Sequence, residues 1–184
     1  MPLKLFIKNN QIKAILIALI ILATSGATYV SSEPKYSKKP VPEINPTEQY
    51  EVNKVVDGDT FSIKIDKRII NVRMIGVDTP ETVDPRKTVQ CFGKEASDKT
   101  KELLVNQTVR LEIDKTQGKL DKFGRILAYV YRSDEIFINS YLIENGYAHE
   151  YTYNIPYKFQ EEFKNLEKIA KEEKRGLWGE LCKI

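Results

Sequence analysis

From Tyr50 onward the chain alternates apolar and polar residues through three consecutive stretches, YEVNKVV, TFSIKI and IINVRMIGV. The period of two and the abundance of Val and Ile predict β-strands. Asp57-Gly58 and Asp66-Lys67 fall between them with the composition of tight turns, so three consecutive antiparallel strands are expected. The period then changes. KEASDKTKELLVN, residues 94–106, sets Ala96, Thr100, Leu103 and Leu104 on one side of a helix that ends in an Asn-Gln turn. TVRLEI (108–113) and RILAYVYR (125–132) return to the strand pattern on either side of the polar loop DKTQGKLDKFG. NSYLIENG predicts a short helix with Asn139 as its N-cap and Gly146 as its stop. A last helix is expected from about Pro156, because Phe159, Phe163, Leu166 and Ile169 or Ala170 recur at three- and four-residue steps. Five strands, with one helix between the third and fourth and helices after the fifth, define an α+β, mainly β fold. The architecture they suit is a closed or partly open five-stranded OB barrel. No internal repeat is present.

The patterned region accounts for residues 49–184, and what precedes it differs in kind. Lys4, Lys8 and Lys13 flank or precede the apolar run AILIALIILA, and the first acidic residue is Glu33. This is the layout of a secretory signal over residues 1–27, with cleavage expected after Ala27 and an uncleaved N-terminal membrane anchor as the alternative. Both place the rest of the chain outside the cytoplasm. Residues 28–48, with prolines at 34, 40, 42 and 46, are expected to be an extended solvated linker.

Composition changes this picture in two places. The formal charge of +3 vanishes once the three leader lysines are set aside, leaving 26 basic and 26 acidic residues. Bulk charge therefore gives no support to a nucleic-acid partner, and a case for one must rest on local placement of Arg and Lys. Cys91 and Cys182 make an even count in a chain expected to be exported, where disulfides persist, so a Cys91–Cys182 bridge is expected. The alternative is two unrelated small apolar residues. Zinc is disfavoured because His149 is the single histidine and zinc takes about four ligands.

Charge is concentrated in three short segments at strand ends: VVDGDTF, VRMIGVDTPET and DKFGR. Read singly, each is explained by a turn, a cap or a solvated loop. DGDT is not an EF-hand, since the glycine and glutamate that such a loop needs are missing from their positions. Read together, they supply what a phosphodiester needs. Asp59 and Asp78 are hard oxygen ligands for a divalent cation, Glu81 is a further carboxylate, and Arg73 and Arg125 carry planar forks that match phosphate oxygens.

At these residues the chain resembles the staphylococcal nuclease (thermonuclease) family. VVDGDT, the run from Arg73 to Thr82 ending VDTPET, GKEAS, DKFGR and the closing GLWG occur in the family's order over roughly Tyr50 to Trp178. The resemblance implies a five-stranded OB barrel with three helices. It implies calcium held by Asp59, Asp78 and the carbonyl of Thr79, and catalysis by Arg73, Glu81 and Arg125. It also implies substrate contacts from Lys122, Phe123, Tyr151 and Tyr153. Phe123 departs from the tyrosine that often follows DK in the motif, which removes one hydroxyl from the expected phosphate contacts. The implied substrates are DNA and RNA, preferentially single-stranded or flexible, cut by a monomer with little sequence preference to leave 3′-phosphates. Two other readings are weaker: a non-catalytic nucleic-acid-binding OB module at the cell surface, and an adhesive barrel. Neither needs Asp59, Asp78, Arg73, Glu81 and Arg125 together.

Overall fold

The computed structural model describes residues 41–82 and 90–182. The expected leader and the linker as far as residue 40 lie outside the described residues. Among those described, no helix is long and apolar enough to cross a membrane.

Five strands close into a barrel. β1 (Tyr50–Asp57), β2 (Thr60–Ile65) and β3 (Arg68–Met74) form the expected antiparallel meander, and β5 (Thr108–Glu112) pairs with β6 (Ile126–Arg132). The sheet runs β1-β2-β3-β6-β5 and is closed by antiparallel pairing of β1 with β5. The β3–β6 seam is parallel, with Val72 opposite Ile126 and Met74 opposite Ala128. In β1 the buried positions are Tyr50 and Val52, then Val55 and Asp57, a slip of one residue in the alternation. A register shift between Val52 and Lys54 absorbs it, as one extra residue in a strand must if the apolar side chains are to keep facing inward. A two-residue ladder joins β4 (Val77–Asp78) to β7 (His149–Glu150) beside the barrel.

Three helices pack around this sheet. The apolar face of α1 (Gly93–Leu104) buries Ala96, Ser97, Thr100, Leu103 and Leu104. α2 spans Ile138–Glu144, and Asn139 does not cap it. Its fully buried amide instead accepts the N–H of Val130 at 2.9 Å and donates to the carbonyl of Ile75 at 2.8 Å. Two backbone groups are thereby satisfied in the core, which outweighs the ordinary N-cap preference of asparagine. α3 spans Gln160–Glu172, starting four residues after Pro156. Phe163 and Ala170 are fully buried on its inner face, and Phe163 meets Phe137, Tyr157 and Phe159 in an aromatic cluster that also includes Tyr129. Truncating Phe163 to alanine would cost about 3–5 kcal/mol through the cavity left behind.

The folded unit starts earlier than Tyr50. Ile44 is buried in the core, Val41 packs against it, and the N–H of Asn45 donates to the Tyr50 hydroxyl at 2.9 Å. Residues 41–48 thus belong to the barrel, because two apolar side chains among the prolines find a core to enter. At the other end of the chain Cys91 and Cys182 are joined by a disulfide, with Cα atoms 5.7 Å apart, linking the turn before α1 to the short 3₁₀ turn Glu180–Cys182.

Candidate active site

The site is built where the β1–β2 turn, the end of β3, β4 and the loop before β6 converge. Asp59 follows Gly58 in the β1–β2 turn, and two tertiary contacts hold that turn. Thr100 of α1 donates its hydroxyl to the Gly58 carbonyl at 2.7 Å. Residue 58 must also lack a side chain, since a Cβ there would stand 2.6–2.8 Å from the side chain of Thr79. Asp59 is buried, accepting from the Thr60 hydroxyl at 2.7 Å and from the Thr79 N–H at 3.2 Å.

Arg73, near the end of β3, lies between the two aspartates. Its Nη2 is 3.1 Å from Asp59 Oδ2 and 3.1 Å from Asp78 Oδ1. Its Nη1 donates to the carbonyl of Met74 at 2.9 Å and to that of Val77. The fork expected to face a phosphate is therefore largely engaged by the protein. Arg125 is held differently: Nε donates to Asp121 Oδ2 at 2.5 Å and Nη1 to the Thr60 hydroxyl at 3.3 Å. Asp121 also accepts the backbone N–H groups of Phe123 and Arg125, so one carboxylate shapes the DKFGR loop and aims its arginine. Burial pushes the Asp121 carboxyl up, and these donors more than reverse it, leaving it below the usual range.

The acidic side chains strain against one another. Asp78 is raised above the usual carboxylate range, first by burial and further by Asp59 and Glu81, with Arg73 and His149 opposing. Asp57, buried and not foreseen as part of the site, is also raised by burial, while hydrogen bonds from Thr82 and Gly58 pull it down and the charges of Asp59 and Glu81 push it up. The Thr82 hydroxyl donates to its Oδ1 at 2.6 Å and the Gly58 N–H at 2.8 Å. Its signal was the first aspartate of DGDT.

Beside these groups runs a cleft of about 610 Å³ whose walls include Arg73, Asp78, Lys122, Phe123, Arg125, Tyr151 and Tyr153. Asp59, Thr79 and Glu81 are not among its walls. Glu81 is near enough to Asp57 and Asp78 for its charge to act on both. Phe123 is 71% exposed and Tyr153 61% exposed, so both rings present accessible apolar faces at the cleft. Tyr151 and Tyr153 have ring centroids 6.3 Å apart, and the guanidinium of Arg125 lies 5.2 Å from the Phe123 ring.

The residues fit a hard divalent cation. Two carboxylate oxygens converge on a single point of positive charge, the Arg73 Nη2. Among the described residues no group of three or more His, Cys, Asp or Glu side chains is arranged to hold a metal. A cation between Asp59 and Asp78 would therefore take the rest of its shell from backbone carbonyl, water and substrate oxygens, a partial protein shell that calcium and magnesium accept and a structural zinc site does not.

A closed OB-type barrel with paired acids, two arginines and an aromatic cleft on one side defines a phosphodiester-directed hydrolase of the nuclease class. Residues 71–180 match the family model described as staphylococcal nuclease homologue. The chain is 48% identical over 136 residues to a thermonuclease of Staphylococcus hyicus, covering 73% of this chain and 79% of that one. It is 44% identical over 131 residues to a thermonuclease of Staphylococcus intermedius, covering 71% and 76%. The endonuclease YncB of Bacillus subtilis is 36% identical over 129 residues, covering 70% of this chain and 60% of that one. The chain belongs to the staphylococcal nuclease family and is an enzyme of the nuclease type.

Proposed function

We propose that this chain is an exported, calcium-dependent nuclease that hydrolyses the phosphodiester bonds of DNA and RNA with little sequence preference and leaves 3′-phosphate ends. The observation that carries the proposal is the placement of Asp78, Arg73 and Arg125 along one cleft that is also walled by exposed aromatic rings. Export rests on the leader pattern of residues 1–27, and a cystine is in keeping with an oxidising compartment.

In this reading Asp59, Asp78 and the Thr79 carbonyl would hold the calcium ion, which would supply Lewis-acid polarisation of a phosphate oxygen. Glu81 orients the attacking water and takes its proton as the water adds to phosphorus in line with the leaving oxygen. The P–O bond to the 5′ carbon's oxygen breaks, that oxygen takes a proton from solvent and leaves as a 5′-hydroxyl, and the phosphate stays on the 3′ side. Arg125, aimed by Asp121, neutralises the charge that grows on the equatorial oxygens. A phosphate in the cleft competes with Asp59 and Asp78 for the Arg73 fork, so Arg73 is drawn toward substrate charge as it develops. Tyr151 and Tyr153 stack bases, and Lys122 offsets backbone charge. Stacking of this kind tolerates any base, which accounts for low sequence preference.

The test is cleavage of plasmid DNA and of an unstructured RNA with calcium, then with a chelator, followed by end-group analysis. Calcium-dependent cutting with 3′-phosphate products is expected. Chelator-resistant cutting, or 5′-phosphate products, would overturn the proposal.

A further inference from the structure

We infer that Gln90 is a positioning residue for Glu81, an inference that rests on the role given to Glu81 above. The two residues are joined twice. The N–H of Glu81 donates to Gln90 Oε1 at 2.7 Å, and the N–H of Gln90 donates to the Glu81 carbonyl at 3.1 Å. Both links bind the main chain of Glu81, the part that decides where its carboxylate starts from, and the first depends on a side chain rather than on backbone pairing alone.

Gln90 is itself well placed to act as a fixed point. Its carbonyl accepts the N–H of Gly93 at 3.0 Å, which ties it to the start of α1. Gly93 lies directly against the Glu81 segment, since a Cβ there would stand 2.7 Å from Thr82 Cγ2, 3.1 Å from the Pro80 carbonyl and 3.2 Å from that of Glu81. The next residue, Cys91, is covalently bound to Cys182. On its other flank the Glu81 segment is anchored to the acidic cluster, by the Thr82 hydroxyl on Asp57 and the Thr79 N–H on Asp59. Glu81 is thus held from both sides, and Gln90 supplies the side facing α1.

The bond from Glu81 to Gln90 is exposed to solvent. Water can replace the lost acceptor, so removing it has little effect on stability. What it does set is direction, and a displacement of about 1 Å at a catalytic group is enough to cost on the order of 10²-fold in rate. A purely structural role would lower melting temperature and leave turnover alone. A positioning role does the reverse.

The experiment compares Gln90→Met, which removes the acceptor at similar volume, and Gln90→Glu, which keeps an oxygen at the same reach, in wild-type and Glu81→Gln backgrounds. Melting temperature, kcat and KM on a defined single-stranded DNA are measured. Gln90→Met is expected to lower kcat about 10-fold or more with KM within about twofold, and Gln90→Glu to recover most of it. In Glu81→Gln, already slow, Gln90→Met should add almost nothing, because two residues acting as one unit are not additive. Wild-type kcat in Gln90→Met, with Glu81→Gln slow, would overturn the role of Gln90 and leave that of Glu81 standing. A Gln90→Met loss of equal size in both backgrounds would overturn it as well. Wild-type kcat in Glu81→Gln would overturn the role of Glu81, and this inference with it.

Discussion

Arg73 Nη2 stands 3.1 Å from Asp78 Oδ1, and the arginine side chain that makes this contact is only 13% exposed. Arg125, paired with Asp121 at 2.5 Å, is 27% exposed. The two arginines have the same expected chemistry and different structural duties. Arg73 joins two carboxylates and two backbone carbonyls from a nearly dry position, whereas Arg125 holds its own loop through Asp121 and reaches the Thr60 hydroxyl of β2.

Replacing either arginine by lysine should lower turnover by about 10²–10⁴, since lysine keeps the charge and loses the fork. Stability should separate them. Arg73→Lys leaves buried acceptors unpaired and is expected to cost about 1–3 kcal/mol, while Arg125→Lys costs less than about 1 kcal/mol. Denaturant titration beside single-turnover kinetics decides this, and equal stability losses would show that the Arg73 contacts contribute no more than those of Arg125.

Calcium should stabilise the folded chain through Asp59 and Asp78. At about 100-fold excess over its dissociation constant the gain is about 2.7 kcal/mol, visible as a rise in Tm without any substrate. Asp59→Asn and Asp78→Asn should each remove most of that rise. A zinc-induced rise of equal size in wild type would contradict an all-oxygen site.

Asp57→Asn should raise Tm at neutral pH. The folded-state pKa of Asp57 is raised, so its ionised form is disfavoured by folding, and its contribution to stability is present at low pH and lost as pH rises through the folded value. Asparagine keeps an acceptor for Gly58 and Thr82 and carries no charge. An increase in Tm is expected at pH 7, where the wild-type side chain is charged. The increase should disappear below about pH 3.9, the ordinary aspartate value, where the wild-type side chain is also neutral. Differential scanning calorimetry across pH 3–8 makes the comparison, and a gain that did not change with pH would point away from charge.

Reducing Cys91–Cys182 should lower Tm without abolishing cleavage at moderate temperature. The bond closes a loop with a sequence separation of 91, for which chain entropy assigns about 4–5 kcal/mol as an upper figure. Neither cysteine is among the residues that line the cleft. Intact mass after thiol alkylation reports the bond, and two alkylated cysteines in unreduced folded protein would refute it.

Much of this molecule was legible in the order of its residues. The five barrel strands and α1 followed from period and turn chemistry, because burial on one face is imposed on a strand or helix locally. Asp59, Asp78, Arg73 and Arg125 stood out as candidates because hard oxygens and planar forks suit a metal-bound phosphate, and the fold brings the first three into contact. The helix starts misled where tertiary demand exceeded local preference. Asn139 was drawn from capping α2 to bridging Val130 and Ile75, and Pro156 proved to lie before a turn rather than at the first residue of α3. Only the folded chain decided the rest. The parallel β3–β6 register, the ladder that sets Asp78 opposite His149, the grip of Asp121 on Arg125, and the pairing of Glu81 with Gln90 are matters of mutual position. A sequence names the donors and acceptors available, but which of them meet is chosen by barrel closure, since each partner is selected by the packing of all the others.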